Sequence, residues 1–467
     1  MGLEFFSECP RKLARILITV HKFFPANKAG TEVLTLKIAT ELKRRGHEIL
    51  VVSADPPAVD ARHATGPEWQ DYEYEGIKVH AIGESLRLKN YSYEHEFLHP
   101  EIGDHFDNIL EEFKPDLVHV MHAQNLSAEV ITRAKSRGLR VIFSPTDFWF
   151  ICPIVQLKRS DGTICEGPGP QAEHCISCYT PELIPSSQQF VEAVHKRLPV
   201  TKLLGKTLTA GIGYETYVSK KRVLAEAATR KRPEVLREIG NSVDAITVPT
   251  EIMKTLFIKN GFDESLIEKV PFGIDTSKLE SFQEKVPADT LRVGFIGTIY
   301  EHKGLDILLK AFQLLPGEAD AVLKVYGNTE QFPDYAAEIL ELADRSSIHK
   351  EKIQFLGTFA NDKLGEVLTE IDVLVVPSRW YENTPLVIQS ALATRTPLIA
   401  TDLGGMSELV KSGENGLLFK LNDEEDLARQ LESILHDRSK LLEFRKNIGP
   451  QRTVLDMVND LERLYFA

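Results

Sequence analysis

Short apolar runs that alternate with amphipathic helical patterns constrain the fold of this chain more than any other feature of its sequence. Parallel strands are buried on both faces and need crossover helices, so this alternation is typical of a parallel sheet covered by helices. The first part of the chain is therefore predicted to be a doubly wound α/β domain. Its predicted strands are residues 16–20, 48–53, 117–121, 141–144, 244–249 and 269–271, with helices over 32–45 and 128–136.

A second series of the same kind begins at residue 291. We therefore predict two Rossmann-like, doubly wound domains, residues 1–275 and 291–448, which face each other across a cleft and are joined by a polar linker over 276–290. A last helix within residues 449–467 is predicted to pack back on the N-terminal domain. Ligands of doubly wound sheets bind beyond the carboxyl ends of the strands, so the cleft is the expected site. The predicted strands of the second series are residues 291–296, 321–326, 352–356, 372–376 and 397–400.

The overall charge and hydropathy argue against several classes of protein. The net charge of −13 makes nucleic acid a poor partner for the whole surface, so none is expected. No apolar run reaches the roughly 20 residues that cross a bilayer. The N-terminal stretch MGLEFFSECPRK lacks the pattern of a signal peptide. A soluble cytoplasmic protein is therefore expected.

The stretch WYENTPLVIQS directly follows the predicted strand that ends at residue 376. Thr384 and Pro385 suit the N-cap and the first position of a helix over residues 386–394. Such a helix offers free N–H groups and partial positive charge to a ligand, next to the carboxylate of Glu382. Anion-binding dipoles beside a hydrogen-bond acceptor favour a phosphorylated polyol such as a nucleotide-sugar. The alternative is that Glu382 only helps to cap the helix.

Two further strand ends carry similar loops. TDLGGMSELV leaves a strand through Gly404 and Gly405 and enters a short helix with Glu408, and paired glycines let a backbone come close to a ligand. GFIGTIYEHKG places Lys303 where it can offer a point charge to phosphate. Each loop alone is also explained by chain geometry. Three of them in one domain indicate a site for a phosphate-containing ligand.

These segments together resemble the family 4 glycosyltransferases of the GT-B fold. The resemblance rests on WYENTPLVIQSALATRTPLIATDLGGMSELV, GTIYEHKG and AGTEVLTLKIATELKRRGHEI, and it covers nearly the whole chain in order. It implies a retaining enzyme of polysaccharide or glycolipid assembly that needs no metal or other cofactor for catalysis, and the lack of an Asp-x-Asp motif agrees with this. The C-terminal domain would bind a UDP- or GDP-sugar donor. The N-terminal domain would bind most of a glycan, lipid-linked or small-molecule acceptor.

The resemblance also implies donor-binding roles by position. Glu382 corresponds to the acidic residue that contacts the donor sugar, and Lys303 corresponds to the lysine that binds the phosphates; both are assigned to catalysis. Ser390 replaces the glutamate that binds the ribose, and Thr298 replaces a phosphate-binding arginine. A serine forgoes the stronger charge-assisted hydrogen bonds of a carboxylate. The remaining implied donor-binding residues are Asn383, Thr384, Pro385, Leu386, Gly404, Gly405 and Glu408.

On the N-terminal side, the resemblance points to a glycine loop, a histidine and an aspartate. Gly30 belongs to the AGTE segment that approaches the donor phosphates. PDLVHVMHAQNLS matches the histidine strand end, but its spacing leaves open whether His119 or His122 faces the cleft. His122 is assigned to catalysis, and His119 and Asp147 are assigned to the acceptor side. The alternative for a strand histidine is a hydrogen-bonded core group.

Four of the five cysteines cluster in a glycine- and proline-rich insertion at about residues 150–180: Cys152, Cys165, Cys175 and Cys178. A Cys-x2-Cys pair in a loop without a core of its own is typical of a metal knuckle. We therefore predict a structural Zn²⁺. An iron–sulfur cluster uses the same ligands, His174 could replace one thiol, and four reduced thiols without metal are the remaining alternative.

A helical segment at about residues 190–240 is locally basic in an otherwise acidic chain. This charge suits peripheral contact with anionic lipid on the inner face of a membrane, beside a lipid-linked acceptor. A solvated helix face is the alternative. The basic residues are Lys196, Arg197, Lys202, Lys206, Lys220, Lys221, Arg222, Arg230, Lys231, Arg232 and Arg237.

Two other functions remain open at this point. A nucleotide-sugar epimerase has the same fold, and a catalytically weak nucleotide-sugar-binding or scaffold protein is consistent with Ser390 and Thr298. A dehydrogenase is disfavoured because no Gly-x-Gly-x-x-Gly follows the first strand.

Overall fold

The computed structural model describes residues 13–54, 67–183, 208–285, 288–345 and 350–467. The chain divides into two compact units. The first unit holds the residues up to Thr247 together with Leu256–Glu268 and Leu464–Ala467. The second unit consists of Val248–Thr255 and Lys269–Arg463. The second unit therefore includes two short stretches of the predicted N-terminal domain, residues 248–255 and 269–275.

The first unit is built on an eight-stranded sheet with the order β3-β4-β2-β1-β5-β6-β7-β8. The strands from β4 to β7 in this order pair in parallel, and β3 runs antiparallel to its neighbour β4. The strands are β1 Arg15–Val20, β2 Glu48–Ala54, β3 Trp69–Tyr74, β4 Ile77–Ile82, β5 Leu117–Val120, β6 Arg140–Phe143, β7 Ala245–Val248 and β8 Ile267–Lys269.

Helices cover this sheet because their apolar stripes match its buried faces. In the helix that follows β1, for example, Leu34, Ile38 and Leu42 are all buried. The helices of the first unit are α1 Gly30–Arg44, α2 Glu84–Arg87, α3 Pro100–Phe113, α4 Glu129–Ser136, α5 Glu173–Cys178 and α6 Leu208–Gly240. Helix α7, Glu251–Lys259, begins in the second unit and ends in the first.

The second unit is built on a six-stranded, fully parallel sheet with the order β11-β10-β9-β12-β13-β14. The strands are β9 Leu291–Ile296, β10 Ala321–Tyr326, β11 Ile353–Gly357, β12 Val373–Val376, β13 Leu398–Thr401 and β14 Gly416–Phe419. The helices are α8 Leu305–Gln313, α9 Pro333–Asp344, α10 Leu364–Thr369, α11 Leu386–Ala393, α12 Gly405–Leu409, α13 Glu424–His436, α14 Ser439–Asn447 and α15 Val454–Tyr465.

Each sheet contains one place where the direction of winding reverses. In the first unit the chain moves outward from β1 to β2 and β4, and then returns to β5 on the other side of β1. In the second unit it moves from β9 to β10 and β11, and then returns to β12 on the other side of β9. The two crossovers leave in opposite directions at such a point, so a crevice forms beyond the carboxyl ends of the two strands. The polar loops that follow β1, β5, β9 and β12 are thereby brought together in pairs.

The prediction of two doubly wound α/β halves is confirmed, and most predicted strands lie within two residues of their observed bounds. Three strands were not predicted: β3, β4 and β14. The hairpin of β3 and β4 turns through Glu75 and Gly76, which both have positive φ. Its exposed edge strand carries mostly polar residues and lacks the continuous apolar pattern of the parallel strands.

The predicted polar linker over 276–290 is wrong for its described part. Thr276–Leu279 forms a short 3₁₀ helix, and Leu279 and Phe282 pack against the core of the second unit. The backbone N–H of Gln283 donates to Thr369 Oγ1 at 3.0 Å. The apolar side chains tie this segment to the second unit although its composition is polar.

The last helix was predicted to pack on the N-terminal domain, but Val454–Arg463 belong to the second unit and only the end of the helix belongs to the first. Helix α15 ends with Leu464 and Tyr465, which belong to the first unit. Arg140 Nε donates to the carbonyl oxygen of Leu464 at 2.9 Å, and the Tyr465 hydroxyl lies 2.7 Å from His119 Nδ1. In the described ranges, no helix combines the length and the apolar character that crossing a bilayer requires.

Candidate functional site

A lysine and a glutamate meet at the reversal point of the second sheet. Lys303 follows β9 and ends a 3₁₀ turn over Glu301–Lys303, and Glu382 follows β12. Lys303 Nζ donates to Glu382 Oε1 at 2.5 Å. Ser378 Oγ and Trp380 Nε1 donate to the same oxygen, each at 2.9 Å. The pair predicted from separate sequence motifs is therefore in direct contact.

The carboxylate of Glu382 is ionised although it is buried. Burial alone would raise its pKa, but the charge of Lys303 and the hydrogen bonds from Lys303, Ser378 and Trp380 lower the pKa below its ordinary value. The ammonium group of Lys303 also lies 5.4 Å from the centre of the Trp380 ring. The site thus holds one fixed negative and one fixed positive charge side by side.

The helix predicted over residues 386–394 is observed, but the predicted N-cap, Thr384, is wrong by one residue. Helix α11 begins at Leu386, and Pro385 occupies the N-cap position with φ −59° and ψ 118°. That ψ is extended, so Pro385 is not helical and Thr384 is not the N-cap; no side chain caps this helix. The N-terminal end of α11 therefore keeps backbone N–H groups for a ligand.

The paired glycines approach protein backbone. The N–H of Gly405 donates to the carbonyl oxygen of Glu382 at 2.9 Å. A Cβ at Gly405 would lie 1.7 Å from the carbonyl oxygen of Asn383, and Gly404 has φ +58° and ψ −137°, a conformation suited to glycine. The glycine loop therefore supports the loop that carries Glu382.

Replacing Gly405 with alanine is expected to displace the Glu382 loop, because the Cβ would collide with rigid backbone. A displacement of about 1 Å of a reacting group can lower a rate about 100-fold. Steady-state assays of sugar transfer, the activity that the sequence resemblance implies, would measure this loss. Gly449→Ala is the matched control, since a Cβ at Gly449 meets nothing within 4 Å, and it should keep normal transfer. Equal rates for the two variants would contradict the supporting role of Gly405.

Three other predicted donor-binding residues have local partners. Thr298 lies in the loop after β9, where its carbonyl oxygen accepts from the N–H of Tyr300 at 3.0 Å. Ser390 is buried and its hydroxyl donates to Leu386 O within α11 at 2.9 Å. The Glu408 carboxylate accepts from the N–H groups of Glu251 and Ile252, each at 2.9 Å, and so caps the start of α7. Both oxygens of Glu408 are therefore already engaged in capping a helix, and its contact with the donor stays a prediction.

A second polar network lies at the reversal point of the first sheet. His122 follows β5, and its Nε2 lies 2.7 Å from Asp147 Oδ2. The backbone N–H of Gln124 donates to His122 Nδ1 at 3.0 Å, so Nε2 is the nitrogen that donates to Asp147. Burial alone would raise the pKa of Asp147, but the electrostatic interaction and the hydrogen bond with His122 lower it below its ordinary value. Both imidazole nitrogens are therefore engaged.

Two members of this network, His21 and Glu32, were not predicted as site residues. The His21 ring lies 4.3 Å from the His122 ring, and His21 Nε2 lies 3.3 Å from Glu32 Oε1. Burial and then the electrostatic interaction with His122 lower the pKa of His21 to about 3, so this contact is not an ion pair at neutral pH. Burial raises the pKa of Glu32. The available signal was the position of His21, which directly follows the first predicted strand.

The start of α1 completes this part of the first unit. Gly30 is the exposed first residue of α1, and Thr31 Oγ1 donates to Thr146 Oγ1 at 2.8 Å. The Thr146 hydroxyl therefore holds the segment before Asp147 against the glycine loop. Within the described residues, His21 Nδ1 and Glu32 Oε2 are buried and make no hydrogen bond. They leave two polar atoms that a ligand hydroxyl would satisfy.

His119, the alternative to His122, is fully enclosed. Its Nε2 lies 2.7 Å from Ser144 Oγ, and its Nδ1 lies 2.7 Å from the Tyr465 hydroxyl. Burial lowers its pKa to about 3, which keeps the imidazole neutral. The assignment of His119 to the acceptor side does not fit this enclosure, and the core alternative describes it better.

The four clustered cysteines are neighbours but do not form a preassembled metal site. All are reduced, and burial raises the pKa of Cys152 to about 11 and that of Cys175 to about 12. Among the described residues, which include all four, no three sulfur atoms lie within 4.8 Å of one another. Cys165 Sγ contacts the carbonyl oxygen of Gly167 at 3.2 Å, and His174 Nδ1 lies 3.0 Å from the same oxygen. Zinc binding here therefore needs rearrangement of the loop and stays a prediction.

The basic segment is only partly a solvated surface. Its four basic residues between positions 196 and 206 fall outside the described residues. Arg232 is buried, and its Nε donates to Glu96 Oε2 at 2.9 Å, while Lys231 Nζ donates to Glu94 Oε2 at 2.6 Å. Arg232 therefore holds α6 against the rest of the first unit and is unavailable to a lipid surface, whereas Lys231 stays about half exposed.

Two family models match the chain in the regions that carry these sites. The model described as glycosyl transferases group 1 matches residues 277–451, and the model described as glycosyl transferase 4-like domain matches residues 29–168. A D-inositol 3-phosphate glycosyltransferase from Nocardia farcinica is 31% identical over 236 residues, which are 46% of this chain and 52% of that protein. The match thus spans about half the length of this relative. An uncharacterized 42.6 kDa protein of the cps region of Klebsiella pneumoniae is 22% identical over 88% of this chain and 91% of its own length.

Solved structures share the fold over almost the whole chain. The Anabaena protein HepE, solved in complex with UDP and glucose, has a TM-score of 0.61 at 15% identity and covers 97% of this chain and 100% of its own. Sucrose-phosphate synthase from Thermosynechococcus elongatus has a TM-score of 0.64 at 16% identity and covers 97% of this chain and 98% of its own. At this identity the likeness concerns the fold alone.

Proposed function

Because the chain belongs to the family 4 glycosyltransferases of the GT-B fold, we propose that it transfers a sugar from a UDP- or GDP-sugar to a hydroxylated acceptor with retention at the anomeric carbon. The contact between Lys303 and Glu382 carries the proposal. It lies where doubly wound sheets bind ligands and combines a cation for phosphate with a carboxylate for sugar hydroxyls. HepE has been solved with UDP and glucose, and this agrees with a donor of the same chemical kind.

In the proposed mechanism, charge that develops on the leaving diphosphate is met by Lys303 and by the N–H groups at the start of α11. Both are in place before the reaction, so little reorganisation is needed when the bond breaks. Glu382 orients the donor sugar and stabilises the positive charge of an oxocarbenium-like transition state. The leaving phosphate accepts the acceptor proton on the same face of the sugar. No covalent nucleophile is assigned.

The first unit is proposed to bind the acceptor next to His122 and Asp147. Because both nitrogens of His122 have partners, we assign it to positioning through Asp147 and do not assign it as a general base. The buried atoms His21 Nδ1 and Glu32 Oε2 suit hydroxyl groups of a polyol acceptor.

A lipid-linked acceptor is supported by a cavity of about 770 Å³ in the first unit, beside the cysteine loop. Three arginines line it, Arg159, Arg230 and Arg237, and guanidinium groups suit the phosphate groups of a lipid carrier. Exposed Val223 and Leu224, next to the exposed Arg222 on α6, suit peripheral contact with an anionic membrane.

A thermal-shift screen of nucleoside diphosphates and nucleotide-sugars, followed by a hydrolysis assay without acceptor, tests the proposal. A ligand that binds only the folded state raises the melting temperature, by an amount that grows with its concentration over Kd. We expect one UDP- or GDP-sugar to stabilise the protein and to be hydrolysed slowly. Stabilisation without any turnover, with or without acceptor, would instead favour the scaffold function that Ser390 left open. Conversion to an epimeric sugar would favour the epimerase.

A further inference from the structure

A cluster of metal-ligating side chains lies in the first unit and belongs to neither of the sites described above. We propose that His95, His99 and Glu101 form a binding site for a divalent transition metal of the zinc class. The three residues come from a short stretch, HEFLHPE, that links the 3₁₀ turn Tyr93–Glu96 to the start of α3. The proposal does not depend on the proposed transferase function.

The three side chains converge with one ligand atom each. These atoms all lie within 4.8 Å of one another. His99 Nδ1 is 3.2 Å from Glu101 Oε2, and the rings of His95 and His99 are 4.3 Å apart. Ligands bound to one Zn²⁺ at about 2.1 Å lie roughly 3–4 Å from each other, so a small side-chain adjustment would close the site.

The converging atoms have no hydrogen-bond partner outside the cluster in the described part of the chain. His95 Nδ1, His99 Nδ1 and Glu101 Oε2 are all buried and make no hydrogen bond there. His99 is only 2% exposed, so water does not replace the missing partner at its surface. A buried polar atom without a partner is costly, and a bound cation would satisfy all three atoms at once.

The surrounding hydrogen bonds orient two of the ligands as metal sites require. His99 Nε2 lies 2.9 Å from the carbonyl oxygen of Arg87, which can only accept, so Nε2 carries the proton and the lone pair of Nδ1 is free. The second oxygen of Glu101, Oε1, accepts from Asn90 Nδ2 at 2.8 Å. Ligands held by such outer hydrogen bonds keep a fixed direction, which favours a built site over a chance cluster.

The ligand set selects the class of metal. Two imidazoles and one carboxylate suit Zn²⁺ and its transition-metal neighbours, whereas Mg²⁺ and Ca²⁺ prefer oxygen ligands alone. Three protein ligands leave a coordination position for water. The turn that carries His95 is anchored through Glu96, which accepts from Trp149 Nε1 at 3.0 Å. The backbone N–H of Trp149 donates in turn to Asp147 Oδ1 at 2.9 Å, so the metal would brace the segment that orients His122.

Zn²⁺ binding to the purified full-length protein tests this site. Metal is first removed with a chelator, and the protein is then titrated with Zn²⁺ in competition with a chromophoric chelator. We expect a site whose Zn²⁺ affinity falls at least about 10-fold in Glu101→Gln and at least about 100-fold in His99→Ala. Zn²⁺ should raise the melting temperature of the wild type and should not raise that of His99→Ala. Circular dichroism would establish whether both variants are folded. If His99→Ala does not fold, the nearly isosteric Glu101→Gln still tests the site.

His105→Ala is the matched control. His105 lies on α3 and its Nε2 is 2.8 Å from His80 Nε2, so it is a paired histidine of the same unit outside the cluster. Its replacement should leave Zn²⁺ affinity unchanged. The absorption spectrum of bound Co²⁺ distinguishes this site from the cysteine loop. Thiolate ligands give an intense near-ultraviolet charge-transfer band, and imidazole and carboxylate ligands do not. Absence of Zn²⁺ binding, an equal loss in His105→Ala, or binding that shows only the thiolate band would each overturn the proposal.

Discussion

Replacing Glu382 with glutamine is expected to lower the turnover number for sugar transfer by about 100–1000-fold. The amide keeps an oxygen for the hydrogen bonds from Ser378 and Trp380, so the loop keeps its shape. It removes the charge that pairs with Lys303 and that would stabilise the positive sugar in the transition state. The loss should therefore appear mainly in kcat, with a smaller change in the KM of the donor. Initial-rate kinetics with the donor found in the thermal-shift screen would measure it.

Glu370→Gln is the matched control for this change. Glu370 also pairs with a lysine of the second unit, Lys324, at 3.0 Å, but it precedes β12, whereas Glu382 follows that strand, and it is about half exposed. We expect near-normal transfer from this variant. Lys303 is partly exposed and can be solvated when its partner is neutral, so Glu382→Gln should lose no more than about 1–2 kcal/mol of unfolding free energy. Near-normal transfer by a folded Glu382→Gln would remove the central assignment.

Replacing Asp147 with alanine is expected to lower transfer about 100-fold, because His122 would lose the carboxylate that orients its ring. The Trp149 N–H would also lose its acceptor, so the segment after β6 would move. If Asp147 acts through acceptor positioning, the KM of the acceptor should rise, while hydrolysis of the donor without acceptor stays close to normal. Kinetics with varied acceptor, beside a donor hydrolysis assay, would separate these quantities.

The first unit offers a close comparison for this substitution. Asp71 pairs with His80 at 2.6 Å, but it lies on the edge strand β3 and is largely exposed. Asp71→Ala removes the same chemical pair from the same unit and should leave transfer almost unchanged. If both aspartate variants lose activity equally, or if Asp147→Ala impairs donor hydrolysis as strongly as transfer, the acceptor role of the His122 network is wrong.

Much of the fold and of the second-unit site could be predicted because the signals are local. Apolar runs and helical periods located strands β9 and β10 to the residue. The chemistry of Glu382 and Lys303 was visible because each follows a strong strand signal. The edge hairpin β3–β4 was not visible, since an exposed strand need not carry an apolar run. The N-cap of α11 was predicted one residue too early because proline fits either the N-cap or the first helical position, and its ψ decides which.

Long-range contacts account for the remaining differences. Nothing in the local pattern distinguishes His119 from His122, yet the side chain of one meets Tyr465 from the last helix and the other meets Asp147. Glu408 could not be recognised as a helix cap, because the capped N–H groups belong to residues 251 and 252. The distant partner decides the role in both cases.

By itself, the sequence determined the periodicity of each element, the polar loops at strand ends and the residue types available for phosphate and sugar chemistry, since these depend on neighbours along the chain. The tertiary structure alone decided which loops meet, because strand order places β1 beside β5 and β9 beside β12. It thereby joined His21 and Glu32 to His122, and Lys303 to Glu382.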